Sequence, residues 1–254
     1  PNWPHNYCTD GNAKEEEKEF YESGEIERIK HYFEGKISGE VKIFRKNGQI
    51  QAIQNYVKGE WHGETTNYYE SENLDESPPI CSIIQWSESK RNGKAEIFYK
   101  SGVLEESSTF INNFRTGEAK IFYESGALKY LACFNGYHII GEAKLFYESG
   151  ALKAIISEGR PVSGEGKIFY ESGELESIFN FKERFPINNV GYYRSGELKW
   201  EQSYERIYSS QAGGGRWHSV KTYDKLGKLD DSIKLDSIYL ENNWYNLFNI
   251  SLYH

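Results

Sequence analysis

One pentapeptide recurs along most of this chain at an almost constant interval. Its most regular form is FYESG, and its glycine returns after about 24 residues. The clear copies end at Gly24, Gly48, Gly102, Gly126, Gly150, Gly173 and Gly196. Self-similarity with a period of roughly 20 to 50 residues is typical of arrays in which each unit contacts only its neighbours. The repeat therefore constrains the fold more than any other feature of the sequence.

The one long interval, from Gly48 to Gly102, contains a degenerate copy. Residues 68–72 read YYESE, so the turn glycine is replaced by Glu72. A weaker ninth copy, YDKLG, ends at Gly227. The sequence thus predicts about nine repeats.

Each repeat predicts a β-hairpin, as residues 117–140 illustrate. Apolar and polar residues alternate up to Tyr123 and again from 127 to 134, which is the period of a strand. Residues 124–126 lie between them and end in glycine, which suits a tight turn. We expect a looser connection from Asn135 to Gly141, where the next copy begins. The predicted fold class is all-β: an elongated single-sheet solenoid of about nine stacked antiparallel β-hairpins.

The repeat also predicts how the chain is divided. We expect an N-terminal arm or cap at 1–19, the array at 20–228, and a C-terminal cap at 229–254, since terminal repeats of an array are atypical. Insertions are expected near 73–82 and 209–219, where the period is broken.

The charge and hydropathy of the chain restrict the class of partner that it can bind. The chain has 30 basic and 38 acidic residues and a net charge of −8, which argues against nucleic acid and favours a basic protein. No apolar run approaches 18 residues, so we expect no transmembrane segment. The absence of methionine leaves two locations open: the cytoplasm, or the periplasm or exterior if a signal peptide was removed.

The search for chemistry predicts neither catalysis nor metal binding. The chain lacks HExxH, GxSxG and phosphate-binding glycine motifs, and its six histidines lie on different repeats. Three distant cysteines without a CxxC argue against a zinc site, and Cys133 on its predicted strand is expected to be a buried free thiol. We therefore expect no enzyme, no catalytic residue and no cofactor.

Glutamates and lysines recur in register and predict a solvated face. They are Glu40, Glu64, Glu118, Glu142 and Glu165, with Lys42, Lys120, Lys144 and Lys167 two residues later. Such pairs can form salt bridges on one face of a strand and protect the sheet from edge pairing.

Breaks in the repeat are the better candidates for a binding site, because insertions in arrays map to loops that often bind. The first break holds a Pro-Pro pair that forbids a regular central strand, and the second holds three glycines followed by Arg, Trp and His. The candidate partner-binding residues are Asp75, Glu76, Pro78, Pro79, Trp86, Arg216, Trp217 and His218. Folding of Trp217 back onto the last hairpin is the alternative.

The pattern of an aromatic pair, ESG, x-L-K and a following GE strongly resembles the MORN repeat over about residues 18–200. It looks closest to the bacterial variant of the YwqK-type antitoxin family. The resemblance implies a non-catalytic protein-binding scaffold, and an immunity or antitoxin protein that neutralises a toxin by direct binding. A cell-surface module that binds carbohydrate or choline, and a structural scaffold, are the alternatives. The six tryptophans avoid residues 122–185, which counts against the carbohydrate alternative.

Overall fold

The computed structural model describes residues 15–74, 76–159, 163–182, 185–205 and 216–229. All regular elements among them are β-strands, which confirms the predicted all-β class. The strands are β1 Glu15–Phe20, β2 Ile26–Phe33, β3 Lys36–Ile37, β4 Gly39–Phe44, β5 Ile50–Val57, β6 Glu60–Tyr68, β7 Ile80–Ser87, β8 Lys90–Phe98, β9 Leu104–Ile111, β10 Phe114–Phe122, β11 Leu128–Asn135, β12 His138–Phe146, β13 Leu152–Gly159, β14 Ser163–Phe169, β15 Leu175–Lys182, β16 Phe185–Tyr192, β17 Leu198–Glu205 and β18 Arg216–Thr222.

The chain divides into two compact units, Pro1–Glu158 and Gly159–His254. β1 to β13 begin in the first unit and β14 to β18 in the second. Within each unit the strands pair antiparallel with their neighbours in sequence, apart from the two-residue β3, which pairs with β2 while β4 also pairs with β2. The predicted stack of hairpins is therefore confirmed. Residues 1–14 and 230–254, which hold most of both predicted caps, lie outside the described residues, and β1 includes positions 15–19 of the predicted arm.

The FYESG turn has the predicted geometry. In the copy at 122–126 the amide of Tyr123 donates to the carbonyl of Ala127, and the amide of Gly126 donates to the carbonyl of Tyr123, both at 2.8 Å. Gly126 has φ +85°, a conformation that glycine adopts without steric cost. The same pair of hydrogen bonds closes the turns that end at Gly24, Gly48, Gly102, Gly150, Gly173, Gly196 and Gly227.

The second connection is tighter than the sequence predicts. β11 ends at Asn135 and β12 starts at His138, so the prediction of a loose loop reaching Gly141 is wrong. Gly141 lies inside β12 with φ +76°. There, residues 141–143 oppose the single residue Ala132 of β11, so the glycine forms a β-bulge instead of ending a loop.

The sheet of the first unit has two unlike faces. We call one the alanine face, because its middle row holds small, almost fully buried side chains: Ala95 (8% exposed), Ala119 (2%), Ala132 (2%) and Ala143 (0%). Tyr130 and Phe134 flank this row and are also buried. The opposite face, here the charged face, carries the predicted pairs, such as Glu40 with Lys42 at 3.1 Å and Glu142 with Lys144 at 3.4 Å. Cys133 points to the charged face and is exposed, so the prediction of a buried thiol is wrong.

In the second unit, aromatic rings lie over glycines. Gly166 of β14 pairs with Phe179 of β15, and Gly191 of β16 pairs with Trp200 of β17. A Cβ atom at Gly166 would lie 2.0 Å from Phe179 Cζ, and one at Gly191 would lie 2.1 Å from Trp200 Cε2. The ring of each partner residue therefore fills the space that a side chain at the glycine would occupy.

The tyrosine of the motif links consecutive repeats. The Tyr123 hydroxyl donates to the carbonyl of Phe146, 23 residues later, at 2.8 Å. We call this contact the tyrosine latch. It recurs from Tyr21 to Phe44, Tyr69 to Phe98, Tyr99 to Phe122, Tyr170 to Tyr192 and Tyr193 to Tyr223. In the second copy Arg45 replaces the tyrosine, and its guanidinium donates to the carbonyl of Tyr68 at 2.7 Å.

Burial raises the pKa of two of the latch tyrosines. It is the main reason that the pKa of Tyr99 is raised, with a further contribution from Glu105. Burial likewise raises the pKa of Tyr170, helped by Glu176. Both phenols therefore stay protonated, and can donate the latch hydrogen bond, up to a pH well above neutral.

Candidate partner-binding site

The first predicted break is a loop between β6 and β7. The amide of Tyr69 donates to the carbonyl of Pro79 at 2.8 Å, in the place of the bond that closes a regular FYESG turn. The degenerate third copy therefore begins like a regular FYESG turn, but a longer loop of residues 70–78 precedes the return strand. This confirms that the Pro-Pro pair lies outside the strands, in a loop.

Gln49 of the preceding repeat holds the base of this loop. Its side chain is 6% exposed, and its Nε2 donates to the carbonyls of Ser71 at 3.0 Å and Asn73 at 3.3 Å. Its Oε1 accepts from the amide of Ser71 at 3.1 Å. Asn47 Nδ2 also donates to Glu70 Oε1 at 3.2 Å. We call this arrangement the pinned loop, because a neighbouring repeat fixes its first residues.

The predicted residues of the pinned loop differ in accessibility. Pro78 is buried and Pro79 is half-buried, so both are less accessible than most of the loop. Glu76 is exposed, and Asp75 lies outside the described residues. Leu74, which the sequence analysis did not select, is 62% exposed. An apolar side chain in a run of acids was the sequence signal that could have identified it.

Trp86 does not join the loop. Its ring packs edge to face on Trp61 of β6, with centroids 4.5 Å apart, and the Trp61 indole donates to the Tyr56 hydroxyl. Trp86 Nε1 is buried without a hydrogen-bond partner. Trp86 lies seven positions after Pro79 along extended chain, which is about 23 Å at ~3.3 Å per residue. The structure places Trp86 in the packing of the alanine face, at the far end of β7.

The second predicted break lies mostly beyond the described chain. Residues 206–215 are outside the described residues. Arg216, Trp217 and His218 begin β18, where Arg216 is the register partner of Glu205 and Trp217 that of Tyr204. Their backbone is therefore strand, not loop, and the contacts of their side chains lie outside the described part of the structure.

The sequence analysis missed a group of exposed apolar side chains at the short turns. We call it the short-turn patch, and it consists of Ile111, Phe114, Tyr137 and Ile140. They are 55%, 45%, 81% and 52% exposed, respectively. The signal was present in the segments INNF and NGYHII, where apolar residues flank a turn instead of a strand centre.

Within the described ranges, histidine, cysteine and carboxylate side chains form no cluster that could hold a metal ion. The part of the chain that the structure describes also has no helix that could cross a membrane.

Comparison with known families finds a match for part of the repeat array. Five segments match the model described as MORN repeat variant: residues 16–34, 37–58, 91–112, 115–135 and 163–183. MORN repeats are generally non-catalytic, and the match indicates a repeat-based binding scaffold. No curated protein matches the chain significantly.

Solved structures add no further argument. The crystal structure of TcdB2-TccC3-TEV is 11% identical, with 86% of this chain and 14% of that chain covered and a TM-score of 0.22. A porin-like protein from Bacteroides uniformis ATCC 8492 is 10% identical, with 85% and 98% covered and a TM-score of 0.22. TcdB2-TccC3-Cdc42 is 12% identical, with 83% and 13% covered and a TM-score of 0.20. These scores are too low to support a conclusion, and over five of its repeats the chain is similar to the MORN repeat variant.

Proposed function

We propose that this chain is a non-catalytic protein-binding scaffold that serves as a bacterial immunity or antitoxin protein and neutralises a basic toxin by direct binding. The pinned loop is the observation that carries the proposal. It interrupts the repeat, is held by the buried Gln49, and exposes Leu74.

A loop fixed before binding loses little conformational freedom when a partner docks. The side chain of Gln49 donates two hydrogen bonds to residues 71 and 73 and accepts one from residue 71, directly before the exposed Leu74. Glu72 and Glu76 on either side of Leu74 are exposed. The loop thus presents an apolar contact between carboxylates, which suits a pocket bordered by lysine or arginine.

The charge of the whole chain supports a basic partner. The net charge is −8, so association with a basic protein is accelerated at low ionic strength. The turn glutamates Glu25, Glu174 and Glu197 each accept a hydrogen bond from a serine two residues earlier, and this bond lowers the pKa of each carboxyl. These surface charges therefore persist in mildly acidic conditions.

The test is co-expression with the product of the adjacent open reading frame. We expect that product to arrest growth alone and this chain to restore growth, with direct binding of the two purified proteins. Leu74→Asp should weaken binding by at least about tenfold, since an anchor lost from a pocket costs ~2 kcal/mol. Leu226→Asp is the matched control, because Leu226 is 93% exposed in a regular turn. A harmless neighbour, or equal binding by both variants, would contradict the proposal.

Two further measurements use the same proteins. The association rate should fall steeply between about 50 and 500 mM salt, since the Debye length shrinks over this range. A flat response would remove the electrostatic argument. Choline and soluble glucans serve as competing ligands, because a carbohydrate-binding module would bind them and an antitoxin would not.

A further inference from the structure

The short-turn patch is a group of exposed apolar side chains at one end of β9 to β12. Ile111 and Phe114 are register partners across the turn between β9 and β10. The Phe114 ring meets the Tyr137 ring edge to face, with centroids 5.2 Å apart. Ile140 is the third residue of β12, and the exposed His138 lies between it and Tyr137 in the chain. All four side chains are close to half exposed or more, with Tyr137 reaching 81%.

The repeat architecture does not require these residues. At the position of Phe114, the first residue of its strand, β6, β8 and β12 carry Glu60, Lys90 and His138. At the position of Ile140, the third residue of its strand, β6, β8 and β10 carry His62, Asn92 and Thr116. The hairpins therefore form with polar side chains at the same sites. Apolar side chains at the sites of Phe114 and Ile140 are thus not needed to form a hairpin.

The size of the patch suits a protein contact. Four large side chains exposed to this degree form a surface on the order of a few hundred Å², the range in which the largest patch of a monomer is often functional. A stable interface buries about 800 Å² on each partner. The patch is thus large enough for the apolar centre of an interface, and polar neighbours must supply the rim.

Carboxylates supply that rim on the charged face. The first charged residue after Phe114 on that face of β10 is Glu118, and after Ile140 on β12 it is Glu142, with side chains 52% and 50% exposed. Their partners Lys120 and Lys144 lie two residues farther from the patch. On β8 the order is reversed, and Lys94 is bonded to Glu96 at 2.7 Å. In each of these two pairs the carboxylate therefore precedes the lysine in the strand and lies nearer to the patch.

We propose that the short-turn patch is a docking surface for a basic protein segment that places an aromatic or aliphatic side chain on Phe114 and Tyr137 and its lysines or arginines beside Glu118 and Glu142. This inference rests on the proposed function, because it takes the partner to be a basic protein. A second copy of this chain fits less well, since two patches would bring together four carboxylates on molecules that each carry a net charge of −8.

The experiment uses a random peptide library, displayed on phage and panned against the full chain. Cys133 is the reporter: it is exposed and is the register partner of both Glu118 and Ile140. Cys81 on β7 is the internal control, and Cys8 is replaced by serine. Enriched peptides should combine Lys or Arg with Trp, Phe or Leu, and should slow maleimide labelling of Cys133 at least about threefold without changing that of Cys81.

The matched variant is Tyr137→Asn with Ile140→Thr, because Asn113 and Thr116 occupy the equivalent positions one repeat earlier. It should keep the fold and bind the enriched peptides at least about tenfold more weakly, since hot-spot truncations cost ~2 kcal/mol or more. Failure to enrich basic peptides, unchanged binding by the variant, or unprotected Cys133 would overturn the proposal. Slower labelling of Cys133 at higher protein concentration without peptide would also overturn it, as it would show a second copy there. Growth rescue is scored separately, so either result can fail alone.

Discussion

Replacing Gly166 with alanine tests whether the space over a glycine determines the packing of the second unit. The added Cβ would lie 2.0 Å from Cζ of Phe179, and 2.4 and 2.5 Å from its two Cε atoms. Carbon atoms in contact prefer about 3.5 to 4.0 Å, so the ring would have to move by roughly 1.5 Å. Phe179 is only 4% exposed, so its ring has little free space into which it could move. Overpacking of this kind costs about 1 to 3 kcal/mol.

A double-variant cycle isolates this clash. In the first unit the equivalent positions are Ala119 and Ala132, which are register partners and are each 2% exposed. Gly166→Ala combined with Phe179→Ala therefore recreates a pair that this sheet already uses. In the Phe179→Ala background, Gly166→Ala should be neutral or stabilise by about 0.5 to 1 kcal/mol, since glycine is unfavourable in a strand.

The assay is urea unfolding of the four proteins, with hydrogen exchange across 163–182 because repeat arrays need not unfold in one step. The reasoning predicts a coupling energy of at least about 1 kcal/mol between the two sites. If Gly166→Ala costs the same with and without the Phe179 ring, the steric explanation is refuted.

The remaining predictions concern the array and its second break. Tyr123→Phe removes one latch and should destabilise the chain by about 1 kcal/mol in urea unfolding, whereas Tyr137→Phe, on an exposed ring, should change stability by under ~0.5 kcal/mol. Because burial raises the pKa of the latch tyrosines Tyr99 and Tyr170 above the usual 10.0, the contribution of these two latches is complete below pH 10 and is lost as the pH rises through the folded pKa. The unfolding midpoint should therefore fall above pH 10, in step with tyrosinate absorbance, and a constant midpoint would contradict this. Deletion of 118–141 should leave a folded protein one repeat shorter by circular dichroism, and global unfolding would argue against a modular array. Trp217→Ala should weaken binding of the adjacent gene product by ~2 kcal/mol in calorimetry if Trp217 contacts it, and equal affinity would assign Trp217 to packing.

Much of the fold follows from local chemistry that the sequence displays directly. Gly126 could be placed in a turn because positive φ favours glycine, and Ala132 and Phe134 could be placed on one face because side chains alternate in a strand. The break at Pro78 was predictable for a similar reason, since proline cannot donate to a sheet ladder. These inferences depend on a residue and its nearest neighbours alone.

What the sequence did not predict depends on contacts between distant residues. The latch of Tyr123 ends on a backbone carbonyl of Phe146, and any residue could have supplied that group. The role of Gln49 depends on a loop that starts 21 residues later, at Glu70. The position of Gly141 was wrongly predicted because a glycine with positive φ fits both the end of a loop and a β-bulge inside a strand.

The direction of the tyrosine latch has a consequence for how such a chain can grow. In the described repeats each donor lies in one copy and its acceptor in the next, as from Tyr99 to Phe122. Each copy thus contains a tyrosine that donates to the next copy and a carbonyl that accepts from the previous copy. An in-frame duplication of one copy therefore creates a boundary at which the latch can form without any new mutation. The contact of Tyr69 with Phe98 spans 29 residues instead of 23 and still forms. Evolution can therefore lengthen the array and add a loop to one copy as two independent events.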